Sequence, residues 1–208
     1  RGYLTACPTN LGTGIRVSAM LHLPGLVLSE QINQIIQAVN KLGLAVRGLH
    51  GEGTEALGNV FQVSNQMTLG ETESDIVERL NKVLLQIIDH EENARAKLLE
   101  NKAKMVYNHI GRAYGILANS HSISSKETMN LLSLFRLGID LSLFPGSKPA
   151  LIEELFIITQ PAHLQKTRAS KLSAEKRDIL RANLLRDRLR KVDRPDTPAA
   201  GKTEENGE

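Results

Sequence analysis

The sequence predicts an α+β fold, a small sheet layer followed by a longer helical region. Three observations carry this. Ile15 to Leu23 alternates apolar and polar residues, the period of a strand. Strand-like and helix-like segments then intermix up to Asn65, as in a sheet covered by helices. From Thr72 onward, apolar residues recur at helical spacing.

Each element has a local reason. Ile15, Val17, Ala19, Leu21 and Leu23 share one strand face; Arg16, Ser18, Met20 and His22 share the other, and Pro24 ends the strand. Ser29 is the expected N-cap of a helix carrying Ile32, Ile35, Ile36 and Val39, closed by Gly43. Leu44 to Val46 reads as a short strand leading into Arg47, and Val60 to Asn65 as another. Gly51, Gly53 and Gly58 mark the connection between them as a loop. Thr72 and Asp75 form a cap pair before Ile76, Leu80, Val83, Leu84, Ile87 and Ile88, a pattern reaching about Leu99. A further helix is expected from Lys102 to Leu117. Ser124 and Glu127 form a capping box before Leu131, Leu132, Leu134, Phe135 and Leu137. Pro149 to Ile158 reads as a helix, and Ser173 opens the last one. Beyond Lys191 the composition turns to Pro, Asp, Thr, Gly, Glu and Asn, too polar to order itself by burial. The expected organisation is a catalytic-type domain over 1–95, a helical regulatory domain over 96–191 and a disordered tail over 192–208.

Composition narrows the function classes. In 208 residues, 26 Lys and Arg face 23 Asp and Glu, so the net charge of +3 does not demand nucleic acid. The basic residues crowd Lys166 to Arg194, but aromatics are only 3% and base stacking is poorly supplied. No direct nucleic-acid partner is expected. The single cysteine allows no internal disulfide and fits a reducing, cytoplasmic setting. No apolar run reaches membrane-spanning length, so no membrane partner is expected. The chain opens on Arg1 without a methionine and reads as the C-terminal part of a longer protein.

Two loops carry the chemistry. The first, Gly2 to Arg16, holds Cys7 before Pro8, then Asn10, Gly12 and Gly14. Proline restricts Cys7 to an extended backbone, and a thiolate there is favoured by cations such as Arg16 or Arg47. The glycines allow backbone N–H groups close to a ligand. Arg16 supplies an always-charged fork suited to phosphate. The second loop is Arg47-Gly48-Leu49-His50-Gly51-Glu52-Gly53-Thr54. A guanidinium is a poor nucleophile until a carboxylate holds it bidentately and draws off a proton, and Glu52 is the candidate for such work. His50 has no second ligand at metal spacing, so no metal site is expected. There is no Walker-type or dinucleotide glycine motif.

A third motif lies on the last helix, Arg177-Asp178-Ile179-Leu180-Arg181-Ala182. Arg177 and Arg181 share a helix face, and Asp178 reaches Arg181. Two arginines for a phosphate and one acid for a guanidinium make a candidate pocket for a group that carries both. The alternative is a solvated helix laced with ion pairs.

The first loop closely resembles the signature of the ATP:guanido phosphotransferases, which include creatine and arginine kinases. The second departs from the small-molecule members and resembles the bacterial protein arginine kinase branch. The last-helix motif resembles the allosteric phosphoarginine site of that branch. The resemblance implies the C-terminal portion of a phosphagen-kinase-like antiparallel-sheet domain followed by a helical domain. It implies ATP and Mg²⁺ as cofactors. Cys7 would line the guanidino pocket, Arg16 to Met20 (Val17, Ser18 and Ala19 between them) would meet ATP phosphates, and Arg47 to Glu52 would close on the nucleotide. It implies proteins marked for a Clp-type protease, a stress-gene repressor among the substrates, a zinc-containing activator protein and a homo-oligomer. The family's upstream arginine cluster and catalytic glutamate have no counterpart in this sequence. A phosphoarginine-binding module without catalysis and a small-molecule guanidino kinase are the competing readings.

Overall fold

The computed structural model of the chain describes residues 11–48, 56–167 and 171–196. The chain divides into two compact units, Arg1–Asn101 and Lys102–Glu208.

In the first unit, β1 (Ser18–His22), β2 (Leu44–Gly48) and β3 (Val60–Asn65) form an antiparallel sheet in the order β1-β3-β2. The register sets Ser18 opposite Ser64 and Met20 opposite Gln62 on one side, with Ala45 opposite Ser64 and Arg47 opposite Gln62 on the other. Because side chains alternate, Ser18, Met20, Ala45, Arg47, Gln62 and Ser64 share one face. The other face carries Leu44, Phe61 and Val63 into a core with Leu26, Ile36, Val39, Leu80, Val83 and Ile87.

Pro24 does more than end the strand. It opens a one-turn helix, α1 (Pro24–Leu28), absent from the sequence expectation, because its fixed φ is already helical. Ser29 is therefore the C-cap of α1 and not the N-cap of the next helix. That helix, α2 (Ile32–Lys41), starts after Gln31 with no side-chain cap. Gly43, at φ 75°, takes the left-handed position that lets the chain leave α2 for β2.

α1 depends on a residue far along the chain. Glu91 is buried, and its carboxylate accepts the N–H groups of Gly25 (2.8 Å) and Leu26 (2.9 Å) while Arg95 Nε donates to it at 2.6 Å. A side chain at Gly25 has no room: a Cβ would lie 2.8 Å from Arg95 Cγ and 2.9 Å from Glu91 Oε1. Glu91 belongs to α3 (Glu73–Asn119), whose only non-helical residue is Lys102 (φ −138°, ψ 32°). The expected break between helices ending near Leu99 and starting at Lys102 is this residue. The α3 N-terminus is capped as its sequence implies: Thr72 Oγ1 donates to Asp75 Oδ2 at 2.7 Å, and Asp75 N–H donates back to Thr72 Oγ1 at 3.2 Å. The Thr72 hydroxyl, and then its backbone N–H, hold the Asp75 carboxyl below the ordinary aspartate value.

The second unit packs the rest of α3 with α4 (Ser125–Asp140), α5 (Pro149–Ile158), α6 (Pro161–Lys166) and α7 (Ala174–Leu189). Ser124 and Ser173 are N-caps, accepting from Glu127 N–H and Lys176 N–H. The short α6, started by Pro161, has too few residues for a periodic signal and escaped the sequence reading. The core centres on Phe135 and Phe144, edge to face at 4.6 Å, with Tyr114 tilted against both. Gly138 makes this possible, since a Cβ there would lie 2.5 Å from Phe144 Cε2. Tyr114 Oη donates to Val192 O (2.7 Å) and Asp196 N–H to Leu143 O (2.6 Å), so the first residues after α7 are held despite their polar composition.

Glu91→Ala leaves two backbone donors and Arg95 without their acceptor in a buried site. Chemical denaturation is expected to show a loss of about 3 kcal/mol. Asp75 titrates below its unfolded value, so its contribution is present above that value and fades as the pH falls through the folded one. In Thr72→Val, an NMR titration should find the Asp75 carboxyl moved back up toward the ordinary aspartate value.

Candidate functional site

The polar face of the sheet gathers the first group of candidate residues. Arg16 precedes β1, and its Nη2 donates to Ser64 Oγ at 3.0 Å. Gln62 Nε2 donates to Ser18 Oγ at 2.9 Å. Arg47 stands in the same cross-strand row as Gln62 and Met20, and Met20 is half exposed. Ser64 and Gln62 are two residues apart on β3, about 7 Å. Thus the anchor of Arg16 and the row of Arg47 are neighbours on one sheet face. Such a pair suits a polyphosphate.

Not all of the segment from Arg16 to Met20 faces this way. Arg16, Ser18 and Met20 do; Ala19 lies opposite Val63, and Val17 packs against the apolar core. Gly48, opposite Phe61, is buried and ends β2. Cys7, Leu49, His50, Gly51 and Glu52 lie outside the described residues.

The glycine-bracketed loop is tied to the chain that leaves β3. Gly12 bridges Thr68, and Thr68 Oγ1 donates to Leu11 O at 2.6 Å. Gly12 has φ 98°, and a Cβ there would fall 2.2 Å from Thr68 O. Only glycine permits that approach. Asn65 clips the next turn: Val17 N–H donates to its Oδ1 at 2.8 Å, and its Nδ2 donates to Ile15 O at 2.9 Å. Ser64, Asn65 and Thr68 were not singled out in the sequence. Their one signal is a run of small polar residues where an apolar strand ends.

The last-helix motif is built differently from a solvated charge pair. Arg181 is 1% exposed. Its Nε donates to Thr159 O at 2.8 Å; its Nη1 donates to Ile123 O at 2.8 Å and to Asp178 Oδ1 at 2.6 Å. Thr159 is the C-cap of α5, so the guanidinium neutralises the negative end of that helix. Arg177 is half-buried and donates to Leu172 O at 2.8 Å. Ala182 is buried, Leu180 half-buried and Ile179 exposed. Arg186 Nη1 donates to Ser120 O and its Nη2 to Asn183 Oδ1. Among the described residues, no three His, Cys, Asp or Glu side chains come together to hold a metal. No described helix is long and apolar enough to cross a membrane.

Comparison with known proteins fits this geometry. Residues 1–94 match the ATP:guanido phosphotransferase C-terminal catalytic domain, and residues 103–200 match the protein-arginine kinase McsB C-terminal domain. At residues 1–94 the chain carries a domain of the ATP:guanido phosphotransferase family. Within that family it is similar to proteins named protein-arginine kinase. It is 54% identical to that of Halalkalibacterium halodurans over 193 residues, 93% of this chain and 54% of the relative. It is 52% identical to that of Bacillus subtilis over 189 residues, 91% of this chain and 52% of the relative. The protein of Brevibacillus brevis is 53% identical over 193 residues, 93% of this chain and 54% of the relative. The chain spans about half the length of these curated relatives. The α+β architecture with a small antiparallel sheet is the one expected of this family's C-terminal portion.

Arg177 and Arg181 share a motif but not a role in stability. Arg181→Ala strands two buried carbonyls and Asp178, and its unfolding free energy should fall by about 3 kcal/mol. Arg177→Ala, at a half-buried position, should lose less than about 1 kcal/mol. Urea denaturation of the two variants checks the contrast.

Proposed function

We propose that this chain serves a protein arginine kinase, which transfers the γ-phosphoryl group of ATP to arginine side chains of proteins. The observation that supports the reading is that Arg16 and Arg47 stand at positions of one sheet face, within a segment that matches this family's catalytic domain. The two forks bind phosphate oxygens and hold the triphosphate in line for transfer. Mg²⁺ bound with the nucleotide would neutralise charge on its phosphates. Glu52 holds the target guanidinium bidentately, with Cys7 lining its pocket. An arginine nitrogen then bonds to the γ-phosphorus as the bond from phosphorus to the β–γ bridging oxygen breaks. ADP leaves with that electron pair, and the guanidinium's proton passes to a carboxylate.

The same reading extends to regulation and partners. Arg177 and Asp178, on the more accessible part of α7, receive a phosphoarginine side chain, while Arg181 holds the surrounding helices in place. The modified proteins, a stress-gene repressor among them, are marked for a Clp-type protease in the cytoplasm. A zinc-containing activator protein and self-association complete the proposed partners.

A second reading, a phosphoarginine-binding module without catalysis, draws on the α7 motif alone. Free arginine or creatine as substrate has less support, because the relatives named above are protein-arginine kinases. The test is the modification itself. Incubated with ATP and Mg²⁺, the enzyme containing this chain should place acid-labile phosphate on arginine of a protein substrate. Arg47→Ala should lower the rate by about 10²–10³-fold. Phosphate only on Ser, Thr or Tyr would contradict the proposal, and turnover of free arginine but not protein would favour the small-molecule alternative.

A further inference from the structure

Arg16 is an exposed side chain on a segment that lies before the first strand, yet its guanidinium has a fixed anchor. Exposed arginines have large rotamer entropy, so a free one presents a phosphate with many orientations. Here the anchor is a buried residue of the central strand. Ser64 is 1% exposed and lies on the central strand, opposite Ser18 on one side and Ala45 on the other. The next residue, Asn65, is 3% exposed and replaces a strand partner for the backbone around Arg16. Its side-chain amide takes the N–H of Val17 and gives to the carbonyl of Ile15, the residues on either side of Arg16. Asn65 N–H also donates to Val17 O at 3.2 Å. Two consecutive residues of β3 therefore fix both the backbone and the guanidinium of one arginine.

We propose that Ser64, supported by Asn65, is a positioning residue that orients Arg16 for the nucleotide's phosphates. The inference rests on the reading of Arg16 as a phosphate-binding residue. Neither side chain meets the nucleotide in this account. Ser64 acts through Arg16 by accepting from Nη2, which leaves the other guanidinium N–H groups for the phosphates. Asn65 keeps the backbone of residues 15–17 parallel to the strand edge, so that Arg16 lies on the same face as Arg47.

A double-mutant cycle in the full chain tests this, with Mg·ADP as probe and calorimetry as readout. Ser64→Ala should weaken Mg·ADP about tenfold, the worth of one hydrogen bond to a charged group. Ser64→Thr, which keeps the hydroxyl, should recover most of that loss. In an Arg16→Ala background, adding Ser64→Ala should change the affinity by less than about twofold, because the group it orients is gone. Thermal unfolding of each variant separates orientation from folding: a purely structural Ser64 would lower the unfolding midpoint and leave affinity of the folded protein unchanged. Full additivity of the two losses, or a Ser64→Ala variant that binds like wild type, would overturn the inference alone. Arg16→Ala binding Mg·ADP as wild type does, or no Mg·ADP binding by wild type, would remove the reading beneath it and the inference together.

Discussion

The pairing of β3 between β1 and β2 is the constraint from which the candidate nucleotide face follows. A strand has a side-chain period of two, so a slip of one residue would turn Met20 and Arg47 inward and Leu21 and Val46 outward. The buried face forbids that slip, because Leu44, Phe61 and Val63 have a core to fill with α2 and α3. Apolar burial thereby decides where charged residues point. Arg47 is at a polar register position because Val46 and Gly48 are at apolar ones, and Arg16 meets Ser64 because Val17 is drawn to the core. The chemistry of the site is specified by residues that take no part in it.

Polar groups buried at a few points complete what hydrophobic packing begins. Glu91 in the first unit and Arg181 in the second are each almost fully enclosed, and each meets backbone groups that would otherwise be orphaned. Glu91 supplies an acceptor to the start of α1; Arg181 supplies donors to the end of α5 and to the turn before α4. Removal of either partner exposes the desolvation cost of the other. A motif that reads in the sequence as a ligand pocket is partly occupied by the protein's own carbonyls, those of Thr159 and Ile123.

Much of this architecture was legible in the sequence where one physical signal dominated. Alternation located β1, and caps at Thr72, Ser124 and Ser173 located three helix starts to the residue. The non-helical residue Lys102 falls where one expected helix ends near Leu99 and the next begins. What failed was short or long-range. A single turn at Pro24 and another at Pro161 have no period to read, and Ser29 suits either end of a helix until its neighbours are known. The candidate site divides in the same way. Arg16 and Arg47 stood out by type and loop context, whereas Ser64 and Asn65 matter only through partners some fifty residues away. The burial of Arg181 was equally hidden, because helical spacing places it beside Arg177 and Asp178 but says nothing of Thr159 or Ile123.

Four methionines offer a direct view of the sheet face, because Met20 stands in the same row as Arg47 and the other three, Met67, Met105 and Met129, stand elsewhere in the sequence. With methyl-labelled methionine, an NMR titration with Mg·ADP should shift the Met20 signal and leave those of Met105 and Met129 in place. An unmoved Met20 signal in protein that demonstrably binds the nucleotide would contradict the account, since the phosphates would then lie away from the face that Arg16 and Arg47 share.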